Sequence, residues 1–161
     1  MPTIVLAVAI GLPILIILLL RSEAAIVFFS LCAGTVLLQF VGDNAVLAAD
    51  AMIPGGDPEM ATRLVLLLAP YVLSIYLLRK SVPSTKLFYN ILPAIGTGLS
   101  GVLLVAPHLP YGAVQALTDG PFWSGLDTSQ DLIVGGTMLV SLLSLWLMHR
   151  KAHEKGHKKK H

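Results

Sequence analysis

Five long apolar runs constrain this chain more than any other feature of its sequence. They hold no acidic or basic side chain, and they cover residues 3–20, 24–41, 64–78, 87–106 and 132–148. Each run approaches the roughly 20 residues that a helix needs to cross a bilayer. Only 12% of the chain is charged, against about 25% in ordinary soluble domains. The runs therefore predict an all-α fold, a polytopic integral membrane helical bundle of about five transmembrane helices.

The connections between the runs divide the chain into one transmembrane domain, residues 1–148, and a basic tail, residues 149–161. No basic segment precedes the first run, so we interpret that run as a retained span rather than a signal peptide. Residues 42–63 and 107–131 are predicted to be long loops, because they are rich in Gly, Pro and Asp. The second helix can continue into the first of these loops, since the letters AVLAADAM remain apolar and compatible with a helix.

The charged residues divide unequally between the two sides of the predicted bundle. With five spans, alternate connections and the tail share one face, which carries ten basic and two acidic residues. The other face carries seven acidic residues and a single basic one, Arg63. Cytoplasmic loops of membrane proteins are enriched in Lys and Arg. The sequence therefore predicts a multi-pass protein of the cell (inner or plasma) membrane, with its N-terminus outside and its C-terminus in the cytoplasm.

The tail is predicted to contact anionic lipid headgroups at the cytoplasmic face, as Lys and Arg clusters beside a span do. Its basic residues are Arg150, Lys151, Lys155, Lys158, Lys159 and Lys160. Histidines recur every four residues, a spacing at which a helix can bind a transition metal: His149, His153, His157 and His161. Gly156 disfavours a helix there and the lysines repel a cation, so we expect no functional metal site. No aromatic residues interleave the basic ones, which argues against nucleic-acid binding.

Residues suited to catalysis are scarce. The single cysteine, Cys32, excludes an intrachain disulfide and a cysteine-based zinc site. No acid or base lies inside an apolar run, where such a residue would indicate a proton relay or an ion-coupled transporter. The acids of the first long loop follow no known ligand spacing: Asp43, Asp50, Asp57 and Glu59. We predict a protein that is not an enzyme and has no catalytic, cofactor-binding or metal-binding site.

The fourth run is predicted to be the central packing helix. Its small residues recur at intervals of four, which lets helix backbones approach closely in lipid. The predicted packing residues are Ala94, Gly96, Thr97, Gly98, Ser100 and Gly101. The partner of this helix is either another span, a second copy of the chain, or another membrane protein. Pro13, Pro70 and Pro93 fall inside the first, third and fourth runs, where a missing backbone donor predicts helix kinks.

Other classes of membrane protein stay open at this point. Three proline-containing spans and the hydroxyl side chains of the last run are compatible with a passive channel or small-solute transporter. Small size and a basic cytoplasmic tail are compatible with a holin-like, membrane-permeabilising protein. Tyr111, Phe122 and Trp123 are predicted to anchor the second long loop at the membrane interface.

Two stretches of the sequence resemble the colicin V production protein (CvpA) family of small bacterial inner-membrane proteins. In LLLRSEAAIVFFSLCAGTVL, a basic residue and a glutamate separate the first two runs, similar to the family's Arg-Glu turn. YNILPAIGTGLSGVLLVA is similar to the family's glycine-spaced helix, with Gly101 at the glycine of an Arg-Gly pair. Ser100 stands where the family has the arginine, and Pro93 replaces a glycine. The resemblance implies a role in toxin export or envelope homeostasis, without a catalytic residue.

Overall fold

Every element in the described part of the chain is helical. The computed structural model describes residues 2–52, 58–79, 87–118 and 121–157. The helices are α1 (Pro2–Leu19), α2 (Ala24–Met52), α3 (Pro58–Leu77), α4 (Leu87–Val105), a 3₁₀ turn (Ala106–His108), α5 (Tyr111–Thr118), α6 (Pro121–Thr128) and α7 (Gln130–His157). The predicted all-α class is therefore confirmed for these residues.

Four of these helices are long and apolar enough to cross a membrane. They include Ala24–Met52, Glu59–Leu77, Asn90–His108 and Gln130–Leu147. A shorter apolar helix, Thr3–Leu19, corresponds to the first predicted span. The sequence-based estimate of about five spans thus corresponds to four helices of full length and one shorter helix.

Several helices extend beyond their apolar runs, because polar residues do not end a helix by themselves. Helix α2 continues past Val41 to Met52, as its helix-compatible sequence allowed, and α3 begins at Pro58, before the run that starts at residue 64. The predicted loop 107–131 instead contains the two short helices α5 and α6. Helix α7 continues through Gly156 to His157, since an isolated glycine weakens a helix without breaking it.

Helix α4 lies in the middle of the bundle. It packs against α1, α2 and α7, while α2 and α3 form the most extensive helix pair.

The short helix α5 packs against α1, where Leu6, Val102 and Leu117 form one buried cluster. Ile17, Ala24, Val27, Ile75 and Ala94 form a second cluster. The chain therefore has an apolar core at both ends of the bundle. We call these the Ser22 end, where α1 turns into α2, and the Arg63 end, where α3 begins.

The turn at the Ser22 end closes the last turn of α1 tightly. Arg21 has a φ of 51°, in the left-handed region that few residues other than glycine adopt. Its N–H donates to the carbonyl of Leu18 at 3.2 Å, and the N–H of Ser22 donates to the carbonyl of Ile17 at 3.0 Å. These two bonds are those of a Schellman motif, which satisfies carbonyls that the end of a helix leaves unpaired. The chain can therefore reverse direction within three residues.

One side chain from α4 completes this turn. The Asn90 Oδ1 accepts a hydrogen bond from the N–H of Ala24 at 2.8 Å, and its Nδ2 donates to the carbonyl of Ser22 at 2.7 Å. The Ser22 hydroxyl donates in turn to the carbonyl of Ile75 on α3, at 3.3 Å. Asn90 and Ser22 are both fully buried. Side chains therefore join the first four helices at this end through backbone groups that water does not reach.

Replacing Asn90 tests how much this junction contributes to the stability of the protein. Asn90→Ala leaves the N–H of Ala24 and the carbonyl of Ser22 buried without their partner. An unpaired buried group costs about 1–3 kcal/mol, so we expect the free energy of unfolding to fall by about 2–4 kcal/mol. SDS titration in mixed micelles, followed by circular dichroism, measures it. The control is Asn44→Ala, which changes an exposed asparagine of α2 and should cost less than about 0.5 kcal/mol. Equal unfolding midpoints for the two variants would contradict the expectation.

Candidate functional site

The predicted packing residues of α4 face three different neighbours. Ala94, Thr97, Gly98 and Ser100 are buried, whereas Gly96 and Gly101 are half-buried. A Cβ at Gly96 would lie 2.5 Å from the Thr137 Oγ1 on α7, and one at Gly98 would lie 2.9 Å from the Ile10 carbonyl oxygen on α1. A Cβ at Gly101 would meet only the Leu31 side chain, at 3.8 Å. The small residues of α4 thus make contacts within one chain. Among the three glycines, Gly101 alone leaves space for an added side chain.

Hydroxyl groups line the buried contact between α4 and α7. The Thr97 Oγ1 lies 2.7 Å from the carbonyl of Pro93 and 3.3 Å from that of Ala24. The Ser100 and Thr137 hydroxyl oxygens are 3.5 Å apart. Within the described ranges, the buried hydroxyl of Ser141 has no hydrogen-bond partner. Because Gly96 and Thr137 approach so closely, these hydroxyls occupy a packed interface rather than an open path.

The three prolines each lie inside a helix that continues past them. Pro13 is in α1, Pro70 in α3 and Pro93 in α4. Pro93 is buried, and its carbonyl interacts with the Thr97 hydroxyl one turn later. Pro13 instead lines a cavity between the helices. The predicted kinks therefore fall at two different kinds of position, one packed and one beside open space.

A polar pocket lies at the Arg63 end. It has a volume of about 320 Å³ and is lined by residues that include Thr35, Gln39, Asp43, Arg63 and His108. We call it the Arg63 pocket. Helix α2 supplies the first three residues, α3 supplies the arginine, and the 3₁₀ turn after α4 supplies the histidine. Asp43, Arg63 and His108 lie at or just beyond the ends of apolar segments, whereas Thr35 and Gln39 lie inside the run 24–41.

The arginine of this pocket is only partly satisfied. Its Nη2 lies 3.0 Å from the Glu59 Oε1 and 3.5 Å from the Asp43 Oδ1. Both carboxylates are largely exposed to solvent, whereas the arginine side chain is 37% exposed. Its Nε is buried and has no hydrogen-bond partner among the described residues. The pocket thus holds a positioned cation with one unused donor.

An apolar cavity lies beside this pocket and extends deeper into the bundle. Its volume is about 180 Å³, and its lining includes Pro13, Leu31, Leu68, Tyr71, Gly101, Val105 and Leu117. The cavity is partly open to its surroundings. Leu31 precedes Thr35 of the Arg63 pocket by one turn on the same face of α2. Leu109, another lining residue, directly follows His108. The two spaces therefore share α2, α3 and the end of α4 as walls.

Sequence reasoning placed the packing residues on the correct helix but missed the pocket. The available signal was Arg63, the single basic residue among seven acids on its predicted face. Gly34 was also missed, although a Cβ there would lie 2.2 Å from the Leu67 carbonyl oxygen, the closest approach of α2 and α3. The side chains of the predicted lipid-contact residues Arg150, Lys151 and Lys155, and all of residues 158–160, lie outside the described part of the structure.

Known proteins provide no further assignment for this arrangement. Comparisons with protein-family models, with curated proteins and with solved structures give no match. The similarity to the CvpA family therefore stays a prediction that rests on the residues quoted for it. In the part of the chain described here, no three His, Cys, Asp or Glu residues lie close enough together to hold a metal ion.

Two neighbouring glycines of α4 should respond differently to substitution. Gly98→Ala forces its new Cβ against the backbone of α1, so we expect the free energy of unfolding to fall by about 1–3 kcal/mol. Gly101→Ala meets only an ordinary contact and also gains helix propensity, so it should be neutral or stabilising by up to about 1 kcal/mol. Thermal unfolding of the purified variants in detergent, followed by circular dichroism, compares them. A Gly101→Ala variant less stable than Gly98→Ala would show that the α1–α4 contact is not the tight one.

Proposed function

We propose that this chain is a non-enzymatic, multi-pass protein of the cell (inner) membrane, built around α4. The observation that carries the proposal is the outward surface of the long helices. Large apolar side chains are exposed there, including Phe40 at 76%, Leu132 at 80% and Leu139 at 66% exposure. Exposing such an apolar surface to water is unfavourable in free energy, whereas a membrane protein exposes such a surface to lipid tails.

The charge distribution supports five spans with the N-terminus outside. Counting α1 as a span brings Arg21, Arg79 and the basic tail to one side of the membrane. It leaves Arg63 alone among the acids on the other side. The basic tail is proposed to contact anionic headgroups on the cytoplasmic side.

A role in toxin export or envelope homeostasis is the proposal that the CvpA resemblance supports. Membrane proteins of such a role act through partners, here another membrane protein or a second copy of the chain. The small residues of α4 are occupied within the chain, so the glycines of α7 are the better candidates for such a contact. Gly135 and Gly136 have nothing within 4 Å of an added Cβ.

Reporter fusions test the proposed orientation. A fluorescent protein that folds only in the cytoplasm should be bright when fused after His161 and dark when inserted at Gly56. An alkaline phosphatase reporter, active only outside, should give the opposite result at both sites. The two reporters serve as controls for each other, because poor expression lowers both signals. Cytoplasmic activity at Gly56 would refute the proposed topology.

Solute flux separates the proposal from its two alternatives, a passive channel or transporter and a holin-like protein. We expect purified protein in liposomes to pass ions and small solutes no faster than empty vesicles, because the α4–α7 hydroxyls are tightly packed. Gly101→Leu is the matched variant, since it changes the one glycine of α4 with open space beside it. Flux that changes in this variant would favour a channel, and loss of membrane potential on overexpression would favour a holin.

A further inference from the structure

We propose that the Arg63 pocket and the apolar cavity together bind one phospholipid that carries a primary amine, phosphatidylethanolamine by chemical class. Its phosphate would lie against the exposed part of the Arg63 guanidinium, its ammonium beside Asp43, and part of one acyl chain in the apolar cavity. The inference rests on the membrane embedding proposed above, because that embedding supplies the lipid.

The polar half of the site suits a phosphate. Arg63, whose side chain is 37% exposed, lines the pocket together with Thr35, Gln39 and His108. Arginine binds phosphate oxygens through strong, charge-assisted hydrogen bonds. A guanidinium that Glu59 holds in place and that is partly shielded from water gains more from such a bond than a fully exposed one.

The apolar half suits an acyl chain. Apart from the Tyr71 hydroxyl, the lining side chains are hydrocarbon, and the cavity is open to its surroundings. Its volume of about 180 Å³ exceeds the roughly 150 Å³ of an apolar cavity that admits benzene. A tail segment in this space buries apolar surface that would otherwise adjoin a void, and it regains the dispersion contacts that the void lacks.

The Arg63 pocket and the apolar cavity lie at the depths in a bilayer where a phospholipid has its headgroup and its acyl chains. Arg63 immediately precedes the apolar run 64–78, and Asp43 follows the run 24–41 after one glycine. His108 ends the membrane-length segment Asn90–His108. These three residues therefore lie at headgroup level. The apolar cavity reaches from Leu109 and Leu117, close to that level, down to Leu31, Leu68 and Gly101. It thus extends from near the headgroups into the apolar depth, as the acyl chain of a phospholipid does.

Local charge selects the headgroup. The described ionisable residues at the pocket are Arg63, the two carboxylates of Asp43 and Glu59, and His108. A lipid with only an anionic headgroup adds negative charge to a group that already has a carboxylate in excess. An ethanolamine headgroup brings its own ammonium, which can donate hydrogen bonds to the exposed Asp43 carboxylate. A choline headgroup has the charge but no N–H to donate.

Photolabelling of the full chain in liposomes tests the proposal. The vesicles are phosphatidylcholine with a small fraction of phosphatidylethanolamine that carries a diazirine on one acyl chain. Flotation of the protein with the vesicles establishes embedding separately, so the labelling result bears on the site alone. We expect mass spectrometry to find the label concentrated on residues 64–71 and 101–109. Label spread evenly, with equal amounts on the exposed face of α7 around Leu139, would overturn the proposal.

Paired variants connect the label to the two halves of the site. Arg63→Gln removes the cation and should lower labelling about tenfold, as expected for one charge-assisted hydrogen bond, whereas Arg63→Lys keeps the charge and should lower labelling less. Arg79→Gln, at the other end of the bundle, should leave labelling unchanged. Gly101→Leu places a side chain in the cavity and should also lower labelling, whereas Gly136→Leu should not. Equal labelling in Arg63→Gln, Gly101→Leu and the wild-type protein would refute the site.

Competition in the wild-type protein identifies the ligand without any variant. Unlabelled phosphatidylethanolamine should displace the probe at several-fold lower concentration than phosphatidylglycerol or phosphatidylcholine. Equal displacement by phosphatidylglycerol would overturn the role of the ammonium. Displacement by inorganic phosphate alone would show a free-anion site rather than a lipid site.

Discussion

The hydrogen bonds of Asn90 are the interaction on which the rest of this bundle depends. In a bilayer, every backbone N–H and carbonyl needs a partner within the protein. The ends of a helix leave several of these groups without a partner inside the helix. Within the turn between α1 and α2, Ser22 and Ala24 are fully buried, so water does not supply partners for their backbone groups. Asn90 reaches across from α4 to satisfy both sides of that turn at once. The tight reversal of the chain and the central place of α4 therefore require each other.

Away from this junction, the bundle is held by close contact between small residues. Glycine brings α4 against α1 and α7, and Gly34 brings α2 against α3. Lipid tails provide no hydrophobic reason for helices to associate, so contact distance decides how much dispersion energy each pair gains. At Gly101 the small residue leaves space beside α4, and Gly101 lines the apolar cavity. The same residue type thus packs most of α4 closely and leaves one part of it open.

The sequence predicted the class of fold well because apolar runs of membrane length have few alternatives. It predicted α4 as the packing helix from its small residues, but it could not tell which neighbour each one faces. That choice depends on the rotation of each helix about its own axis, which a repeat of four residues leaves undetermined. Polar residues such as Asp43 continue a helix beyond its apolar run, so the ends of the runs do not give the ends of the helices. The Arg63 pocket was out of reach, because it joins three segments far apart in the sequence.

The unequal lengths of the helices have a consequence for the membrane embedding proposed above. Helix α1 has 18 residues and spans about 27 Å, whereas α2 has 29 residues and spans about 44 Å. Their apolar runs, residues 3–20 and 24–41, are nevertheless equally long, so a hydrocarbon layer about 30 Å thick would fit both helices alike. The last three turns of α2 would then project beyond that layer at the Arg63 end, as a rigid extension that a thicker bilayer would cover and a thinner one expose.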